Sequence, residues 1–372
     1  MKVVFAAGGT GGHINPALAA AGELRRREPD AEILFIGTAD HMESRLVPAA
    51  GFDFKTIAIA GFQRKLTPKN IVKNIKTVRL LLESTSAVRK ILTDFAPDVV
   101  VGFGGYVSGP VVRTAAKMRI HTAIHEQNAY PGVTNKALAK VADAVMLTVP
   151  AAAEHLNCKN EPVITGLPVR HEIVEADRDF SRAKIGVPEH SMMILSMGGS
   201  LGAKAVNEAM VGVIATRCEE KDLFFMHATG KYGKWVPDAL EKQGVHLANE
   251  KNVVIREYID DMDTCLSAAD LVIGRAGASS LSEIEATGKA SVLIPSPNVA
   301  ENHQYHNAMA LVRNNAARMI EEKDLTVDAL LSVIDELKNN RELLKTIGQN
   351  ARKMAVMDSA KVICDKILEL AK

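Results

Sequence analysis

Residues 3–16 read VVFAAGGTGGHINP, and the rest of the chain is organised around this stretch. The apolar run Val3–Ala7 predicts a buried parallel strand. Asn15 as an N-cap and Pro16 at the first helical position predict a helix directly after it. A strand, a glycine turn and a helix N-terminus in succession are typical of an anion-binding site, because unpaired N–H groups and the positive dipole end favour phosphate. His13 lies at the mouth of this turn and is therefore a candidate general base.

The composition narrows the classes of protein to consider. The 372 residues are enough for two domains. Because 45 basic residues nearly balance 44 acidic ones, we do not expect a nucleic-acid-binding protein. The four cysteines are far apart and form no Cys-x-x-Cys, so we expect neither a zinc site nor a disulfide framework. We therefore expect the protein to be located in the reducing cytoplasm. The first strand begins at Lys2 and no apolar run approaches roughly 20 residues, so we expect neither a signal peptide nor a transmembrane helix.

Strand-like and helix-like segments alternate along the chain, which is the pattern of a doubly wound parallel sheet. The predicted strands are Val3–Ala7, Glu32–Ile36, Val99–Val101, Thr122–His125, Ala144–Leu147, Met192–Met197, Leu223–Ala228, Val253–Arg256, Leu271–Ile273 and Ser291–Ile294. The predicted helices are Pro16–Arg27, Asp40–Ala49, Lys69–Leu92, Pro110–Met118, Val133–Lys140 and a helical tail at Leu344–Lys372. Because the series restarts at Met192, we predict an α/β fold of two Rossmann-like, doubly wound parallel-sheet domains that face a cleft, with a hinge near Thr165–Arg170.

Three further glycine turns separate a predicted strand from a predicted helix, at residues 102–109, 198–202 and 274–280. Such turns lie at the carboxyl ends of parallel strands, where ligands bind in open α/β sheets. Two turns in each half predict two phosphate-bearing ligands, one in each domain. A nicotinamide-dependent oxidoreductase is an alternative, but it needs an acidic residue at the end of the second strand. Phe35–Thr38 contains no acidic residue, so the sequence favours the oxidoreductase less but does not exclude it.

Taken together, the motifs of this chain resemble those of the MurG family of GT-B glycosyltransferases over essentially its whole length. The motifs are Gly8–His13, Gly102–Gly109, His125–Asn128, Gly198–Ala203, Gly277–Glu283 and Asn302–Gln304, in this order. The resemblance implies an inverting transfer of N-acetylglucosamine (GlcNAc) from UDP-GlcNAc to the C4 hydroxyl of MurNAc in undecaprenyl-pyrophosphoryl-MurNAc-pentapeptide (lipid I). The product would be lipid II of peptidoglycan synthesis. It also implies an acceptor-binding, membrane-facing domain of residues 1–165 with a C-terminal helix at about 350–372, and a donor-binding domain of residues 166–349.

The resemblance also implies roles for individual residues. Those of the donor site are Thr10, Gly11, Gly12, Asn128, Arg170, Ser200, Ile259, Ala278, Ser279, Ser280, Leu281, Ser282, Glu283 and Gln304. Among these, Ser200 would contact the donor phosphates, Glu283 the ribose hydroxyls and Gln304 the GlcNAc ring, while the backbone of Ile259 would contact the uracil. Those of the acceptor site are Gly104, Gly105, Tyr106, Ser108 and His125. The catalytic residues would be His13 and Glu126.

Several of these residues have a purely structural alternative. Glu283 ends the run SLSE at 280–283, which is the pattern of a capping box at a helix start. His125 ends a strand and is as consistent with a hydrogen-bonded structural histidine as with an acceptor ligand. Glu126 could orient His13 or His125, or bind the acceptor, or be the base itself. The sequence therefore leaves the identity of the base open between His13 and Glu126.

The sequence Asp261-Met262-Asp263 matches the Asp-x-Asp of metal-dependent transferases. Here it precedes a predicted helix, where acidic residues favour the dipole. We therefore predict no tightly bound metal and no other cofactor, and leave open a diffusible Mg²⁺ on the pyrophosphate.

Lys69–Leu92 has the pattern of a basic amphipathic helix. Its apolar residues Ile71, Ile75, Val78 and Leu82 share one face, and its lysines point elsewhere. It is either a surface helix whose apolar face packs on the core or a segment that contacts an anionic membrane. Because the implied acceptor is lipid-linked, we expect a peripheral protein at the cytoplasmic face of the bacterial membrane, with partners among cell-wall synthesis and division proteins. A UDP-GlcNAc epimerase of the same layout and a non-enzymatic scaffold are the further alternatives.

Overall fold

The computed structural model describes residues 1–59 and 83–372, which divide into two compact units. The amino-terminal unit comprises Met1–Pro168 and Val356–Lys372, and the carboxy-terminal unit comprises Val169–Ala355. Each unit has its own parallel sheet with helices on both faces, as expected for a chain too long for a single core.

The sheet of the amino-terminal unit has seven strands in the order β3-β2-β1-β4-β5-β6-β7, and the pairings are parallel. The strands are β1 (Lys2–Ala7), β2 (Glu32–Gly37), β3 (Asp53–Thr56), β4 (Val99–Gly104), β5 (His121–Glu126), β6 (Ala144–Leu147) and β7 (Val163–Ile164). The helices are α1 (Gly11–Arg27), α2 (Glu43–Ala49), α3 (83–95), α4 (Gly105–Lys117), α5 (Val133–Leu138) and α15 (Ser359–Leu370), with a 3₁₀ turn at Pro150–His155. The strand order reverses between β1 and β4, so the loops that follow these two strands are neighbours at the switch point.

The sheet of the carboxy-terminal unit has six parallel strands in the order β10-β9-β8-β11-β12-β13. The strands are β8 (Met192–Met197), β9 (Leu223–Ala228), β10 (Val253–Arg256), β11 (Leu271–Gly274), β12 (Ala290–Leu293) and β13 (Arg318–Met319). The helices are α6 (His171–Glu175), α7 (Arg178–Ile185), α8 (Lys204–Arg217), α9 (Val236–Lys242), α10 (Met262–Ala268), α11 (Ala278–Thr287), α12 (His303–Arg313), α13 (Val327–Asn339) and α14 (Arg341–Met354), with 3₁₀ turns at Ala300–Asn302 and Glu322–Asp324. Its switch point lies between β8 and β11.

The first strand of each unit is buried on both faces, which explains its continuous apolar sequence. In β1, Val3 and Phe5 pack in one apolar cluster, and Val4 and Ala6 in the cluster on the opposite face. Helix α15 adds Ile363 and Ile367 to the first of these clusters. The C-terminal helix is therefore part of the amino-terminal core.

Two predicted helix starts are wrong, and for the same reason. Helix α1 begins at Gly11 with Thr10 as N-cap, so Asn15 is not the cap, and α4 begins at Gly105. Pro16 and Pro110 are each the sixth residue of their helix rather than the first. In both cases the glycines complete the turn earlier than the proline suggested, because glycine readily adopts the backbone angles that the turn needs.

The predicted amphipathic segment Lys69–Leu92 lies largely outside the described residues. Its apolar positions 71, 75, 78 and 82 are among those the structure does not describe. Of the described part, Val88 and Leu92 are buried in the core beneath the sheet.

Candidate functional site

In the amino-terminal unit, the first glycine turn places the start of α1 beyond the carboxyl end of β1. Gly9 has a φ of +87°, a left-handed conformation that favours glycine. Thr10 is exposed, and the helix begins at Gly11 and Gly12. The backbone N–H groups of these first helical residues are the ones that an α-helix leaves without intrahelical partners. The turn therefore has the arrangement expected of an anion site.

The junction between β4 and α4, at Gly104 and Gly105, packs directly on this turn. A Cβ at Gly105 would lie 2.3 Å from the carbonyl oxygen of Gly8. A Cβ at Gly104 would lie 2.7 Å from Cδ2 of His13. Two glycine motifs that are distant in sequence thus form one site, and the His13 ring lies against Gly104. Tyr106 is 63% exposed at the same edge.

The hydrogen bonds of His13 determine which ring nitrogen can act as a base. Nδ1 lies 3.1 Å from the carbonyl oxygen of Gly8 and 3.3 Å from the hydroxyl of Thr10. Because a carbonyl oxygen only accepts, Nδ1 carries the proton, and the lone pair of the neutral ring is on Nε2. This is the tautomer that a general base acting through Nε2 requires.

Glu126 is buried, and its carboxylate accepts four hydrogen bonds from the segment that follows it. Oε1 accepts from the backbone N–H of Asn128 at 2.9 Å and from its side chain at 3.2 Å. Oε2 accepts from the N–H of Gly132 at 3.2 Å and from the side chain of Asn135 at 2.8 Å. These contacts fix the loop 126–135 and engage both carboxylate oxygens of Glu126.

Two residues predicted to bind the acceptor, His125 and Ser108, have buried side chains. His125 is fully buried, its Nε2–H donates to Gly166 O at 2.9 Å, and its Nδ1 accepts from Gln127 at 3.1 Å. Burial lowers the pKa of His125 to about 4, against a smaller opposing effect of the Gly166 hydrogen bond, so the ring is neutral. Ser108 is also buried, accepting from Gly104 N–H at 2.9 Å and donating to Ala6 O at 2.8 Å. Both side chains are engaged in hydrogen bonds that hold the surrounding backbone in place.

Glu43, the first residue of α2, is part of this site although no sequence motif indicated it. Its side chain is buried, with Oε2 accepting from Gly9 N–H at 3.1 Å. Oε1 accepts from the N–H and the hydroxyl of Thr38 at 3.1 and 2.6 Å. From the sequence, Glu43 looked like an ordinary acid near the start of a helix, where acids are common.

In the carboxy-terminal unit, the loop Gly198–Gly202 follows β8. Gly199 and Gly202 have φ angles of +88° and +82°. A Cβ at Gly202 would lie 2.2 Å from the carbonyl oxygen of Thr229, so only glycine allows this approach. The Lys231 N–H donates to Ser200 O at 3.2 Å, and the Ser200 side chain is exposed. The loop is thereby held with Ser200 at the surface just before α8.

An open cavity of about 480 Å³ borders this loop. It is lined by the loop and first residues of α8, and by Arg275, Ser296, Asn298, Gln304 and Glu322. The structure thus brings together Ser200 and Gln304, two residues predicted to bind the donor. Gln304 accepts from Ser296 N–H at 2.9 Å, which orients its amide.

Arg275 brings a guanidinium to the lining of this cavity and was not predicted. Its guanidinium donates to Ile294 O at 3.0 Å and forms an ion pair with Glu322. A guanidinium beside a helix N-terminus is suited to a diphosphate. Its position one residue after the turn glycine Gly274 is the sequence signal that could have indicated it.

Glu283 is not part of a capping box, which corrects the structural alternative. Helix α11 begins at Ala278 with Gly277 as N-cap, so Glu283 is the sixth helical residue. Its Oε1 lies 3.4 Å from Nη2 of Arg170, which joins two predicted donor residues. Burial raises the pKa of Glu283 and the Arg170 guanidinium opposes that rise. In the same helix, Leu281 and Ser282 are buried, whereas Ala278, Ser279 and Ser280 are half-buried at its N-terminus.

The Asp-x-Asp sequence opens helix α10, as predicted. Asp261 precedes the helix and accepts from the Arg256 guanidinium at 2.6 Å. Ile259, just before it, has a buried side chain, so its backbone is what it offers a ligand. Within residues 1–59 and 83–372, no group of three or more His, Cys, Asp and Glu side chains is arranged to hold a metal ion. None of the helices in these two stretches is long and apolar enough to cross a bilayer.

Comparisons with known proteins agree with this architecture. The glycosyltransferase family 28 N-terminal domain matches residues 3–147, and the family 28 C-terminal domain matches residues 193–363. The chain is 41% identical to a UDP-N-acetylglucosamine–N-acetylmuramyl-(pentapeptide) pyrophosphoryl-undecaprenol N-acetylglucosamine transferase of Acetivibrio thermocellus, covering 100% of this chain and 99% of the relative. It is 42% identical to the protein of the same name from Moorella thermoacetica, covering 99% of each chain.

Solved structures show the same likeness. The crystal structure of Acinetobacter baumannii MurG matches with a TM-score of 0.79 at 30% identity, covering 99% of each chain. A UDP-GlcNAc 2-epimerase from Neisseria meningitidis matches with a TM-score of 0.65 at 12% identity, which shows a shared fold alone, and covers 99% of this chain and 100% of that one. The predicted fold class, with two parallel-sheet α/β domains, is confirmed. The chain therefore belongs to glycosyltransferase family 28 and, within it, to the MurG family of N-acetylglucosamine transferases.

Proposed function

We propose that this protein transfers GlcNAc from UDP-GlcNAc to the C4 hydroxyl of MurNAc in lipid I, forming lipid II and UDP. Full-length relatives that carry this activity in their names support the proposal. The observation that carries the mechanism is the His13 tautomer, with the Nε2 lone pair at a glycine turn. In this proposal the amino-terminal unit supplies the acceptor site and the base, and the carboxy-terminal unit supplies most of the donor site.

For the donor, we assign the diphosphate to the N-terminus of α8, with Ser200 and Arg275. An α-helix N-terminus stabilises the charge that develops on UDP as it leaves. Glu283, held by Arg170, would accept hydrogen bonds from the ribose hydroxyls, and the backbone of Ile259 would contact the uracil. Gln304 would contact the GlcNAc ring. The proposal adds Thr10, Gly11, Gly12 and Asn128 as amino-terminal contacts near the donor sugar.

The chemical step is a single displacement. His13 Nε2 takes the proton of the C4 hydroxyl while that oxygen attacks C1 of GlcNAc. The bond between C1 and the UDP oxygen breaks on the opposite face, so the anomeric configuration inverts. The Nδ1 proton stays on its nitrogen, and the resulting imidazolium returns its new proton to solvent. We favour His13 over Glu126 because the Glu126 carboxylate is engaged by four donors.

For the acceptor, we assign the pyrophosphate to the N–H groups at the start of α1 and to residues 104–106, where β4 passes into the first turn of α4. Because lipid I is anchored in a bilayer, we propose peripheral association with the cytoplasmic membrane face. Lys69–Leu92 is the sequence candidate for this contact. Its test is sedimentation with vesicles containing anionic lipid, where charge reversal at Lys69, Lys73 and Lys76 should reduce binding and unchanged binding would remove the segment. We propose partners from cell-wall synthesis and division on the family resemblance alone.

We propose that no tightly bound metal takes part, since Asp261 already pairs with Arg256. Turnover should therefore persist after dialysis against EDTA, and restoration only by a stoichiometric metal would contradict this. A diffusible Mg²⁺ on the pyrophosphate would instead raise the rate with a millimolar dependence. The epimerase alternative is not favoured, because it rests on fold alone; it predicts a new sugar nucleotide from UDP-GlcNAc without any acceptor.

The test of the base is His13→Ala, assayed by UDP release with a soluble lipid I analogue. We expect turnover to fall about 10²- to 10⁴-fold, the usual contribution of a general base, while the KM for UDP-GlcNAc changes less than about twofold. The control is His121→Ala, at the opposite end of the sheet on an exposed side chain. Near-normal turnover of His13→Ala would remove it from the role of base.

A further inference from the structure

We propose that Glu43 is a positioning residue for His13 and acts on it through the peptide group between Gly8 and Gly9. This inference deepens the proposed function, because it rests on His13 as the base. Glu43 contacts the N–H side of this peptide group, and His13 contacts its carbonyl side.

The geometry is a chain of two hydrogen bonds that share one peptide group. The Gly9 N–H donates to Oε2 of Glu43 at 3.1 Å. The Gly8 carbonyl, which belongs to the same peptide group, accepts from Nδ1 of His13 at 3.1 Å. The sequence of groups is therefore carboxylate, peptide, imidazole.

The rest of the pocket is built to keep the carboxylate buried and charged. Glu43 is 0% exposed, and burial alone would raise its pKa. The hydrogen bonds from Thr38 and from backbone N–H groups outweigh burial, so the pKa of Glu43 is held below its ordinary value. The site thus holds a full negative charge behind the glycine turn.

Two glycines make room for this carboxylate. A Cβ at Gly8 would lie 2.8 Å from Oε1 of Glu43, and a Cβ at Gly37 would lie 2.6 Å from its Cγ. Any side chain at either position would push the carboxylate off the Gly9 N–H. The glycine at position 8 is therefore explained by the approach of Glu43, in addition to any ligand.

The physical effect follows from the polarisation of hydrogen-bonded chains. A carboxylate on the N–H side of a peptide increases the negative charge on its carbonyl oxygen, which makes that oxygen a stronger acceptor. A stronger acceptor at Gly8 favours the tautomer with the proton on Nδ1, and it stabilises the imidazolium that forms during transfer. This is the role of the aspartate in a Ser-His-Asp triad, with a peptide inserted between acid and imidazole. No proton passes to Glu43.

The test is Glu43→Gln, which keeps the size of the side chain and removes its charge. Asp143→Asn is the matched control. Asp143 also accepts from the N–H and hydroxyl of a threonine, Thr122, at 3.0 and 3.2 Å, but at the opposite end of the sheet. Two readouts are taken on the full-length protein: steady-state kinetics, and ¹⁵N NMR of the ring of His13, assigned with His13→Gln.

For Glu43→Gln we expect kcat to fall about tenfold, a fraction of the 10²- to 10⁴-fold of the base itself, with the KM for UDP-GlcNAc within about twofold. The ring spectrum should change from the Nδ1–H tautomer toward a mixture, and Asp143→Asn should leave both readouts unchanged. A Glu43→Gln protein with the wild-type ring spectrum, or with the kcat of the control, would overturn the proposal. If Glu43→Gln does not fold, Glu43→Asp is measured instead; it keeps the charge but retracts it from Gly9, and the same two outcomes decide.

The ring spectrum needs no substrate, so the two proposals can fail separately. If His13→Ala is active but the tautomer of His13 depends on Glu43, His13 is not the base, while the effect of Glu43 on the His13 ring stands. If His13→Ala is inactive but the tautomer of His13 is unchanged in Glu43→Gln, His13 stands as the base, while Glu43 does not position it.

Discussion

Replacement of Gly104 by alanine is the perturbation whose effect the structure determines most closely. Gly104 has φ +103° and ψ −174°, a region that is almost exclusive to glycine and costs another residue about 1–3 kcal/mol. The new Cβ would lie 2.7 Å from Cδ2 and 3.0 Å from Nε2 of His13. The imidazole would have to move by about 0.7 Å to restore ordinary van der Waals contact.

A displacement of this size should matter more for catalysis than for donor binding. Misplacement of a catalytic group by about 1 Å can cost about 10²-fold, so we expect kcat to fall about 10- to 100-fold in Gly104→Ala. The KM for UDP-GlcNAc should stay within about twofold. The first thermal transition should fall by about 2–4 °C for each kcal/mol of strain.

The control is Gly22→Ala in α1, the helix that carries His13. Gly22 has open space around its Cβ position and lies inside the helix, so alanine should stabilise the protein by about 0.4–1 kcal/mol without changing kcat. In the double variant His13→Ala with Gly104→Ala the clash is absent, so Gly104→Ala should cost less stability than in the wild type. Equal costs in both backgrounds, with kcat unchanged in Gly104→Ala, would refute the packing of the imidazole on Gly104.

Three further predictions concern other parts of the two units. Ser108→Ala should destabilise the protein by about 1–3 kcal/mol, because the buried Gly104 N–H loses its acceptor; an unchanged unfolding midpoint in urea would contradict this. Arg275→Ala should raise the KM for UDP-GlcNAc about tenfold, an ion-pair loss of about 1.4 kcal/mol, and Arg275→Lys should raise it less; equal KM values in all three proteins would exclude contact with the donor. Burial raises the pKa of Glu285 to about 7, so the folded state keeps a proton that the unfolded chain releases at lower pH, and stability falls as pH rises from about 4.5 to 7. In Glu285→Gln this pH dependence should be absent, so the free energy of unfolding of the variant relative to that of the wild type should be higher at pH 8 than at pH 5. Parallel profiles of stability against pH would contradict this.

The fold was largely predictable because long apolar strands and glycine turns carry strong local signals. Every predicted strand is present, within about three residues at each end. The strands that escaped prediction, β3, β7 and β13, are edge or near-edge strands of two to four residues. Such short segments have too few residues to show a period, and their pairing depends on neighbours that are distant in the sequence.

The candidate site was predictable only where chemistry and exposure coincide. His13 and Ser200 lie at glycine turns, and the glycines indicate that a ligand can come close to the backbone there. The family resemblance assigned His125 and Ser108 to the acceptor site, and nothing local in the sequence shows that their side chains are buried. Glu43 was missed for the opposite reason: its partner, the Gly9 N–H, is 34 residues away, and a buried carboxylate has no sequence signature.

The proposal that the carboxy-terminal unit binds the donor is tested most directly by a crystal structure with UDP-GlcNAc bound. We expect the nucleotide to occupy the carboxy-terminal unit, with its diphosphate at Ser200 and the first turn of α8 and its ribose at Glu283. A nucleotide bound at the Gly8–His13 turn instead, with the cavity beside Arg275 unoccupied, would contradict the assignment of the donor site to the carboxy-terminal unit.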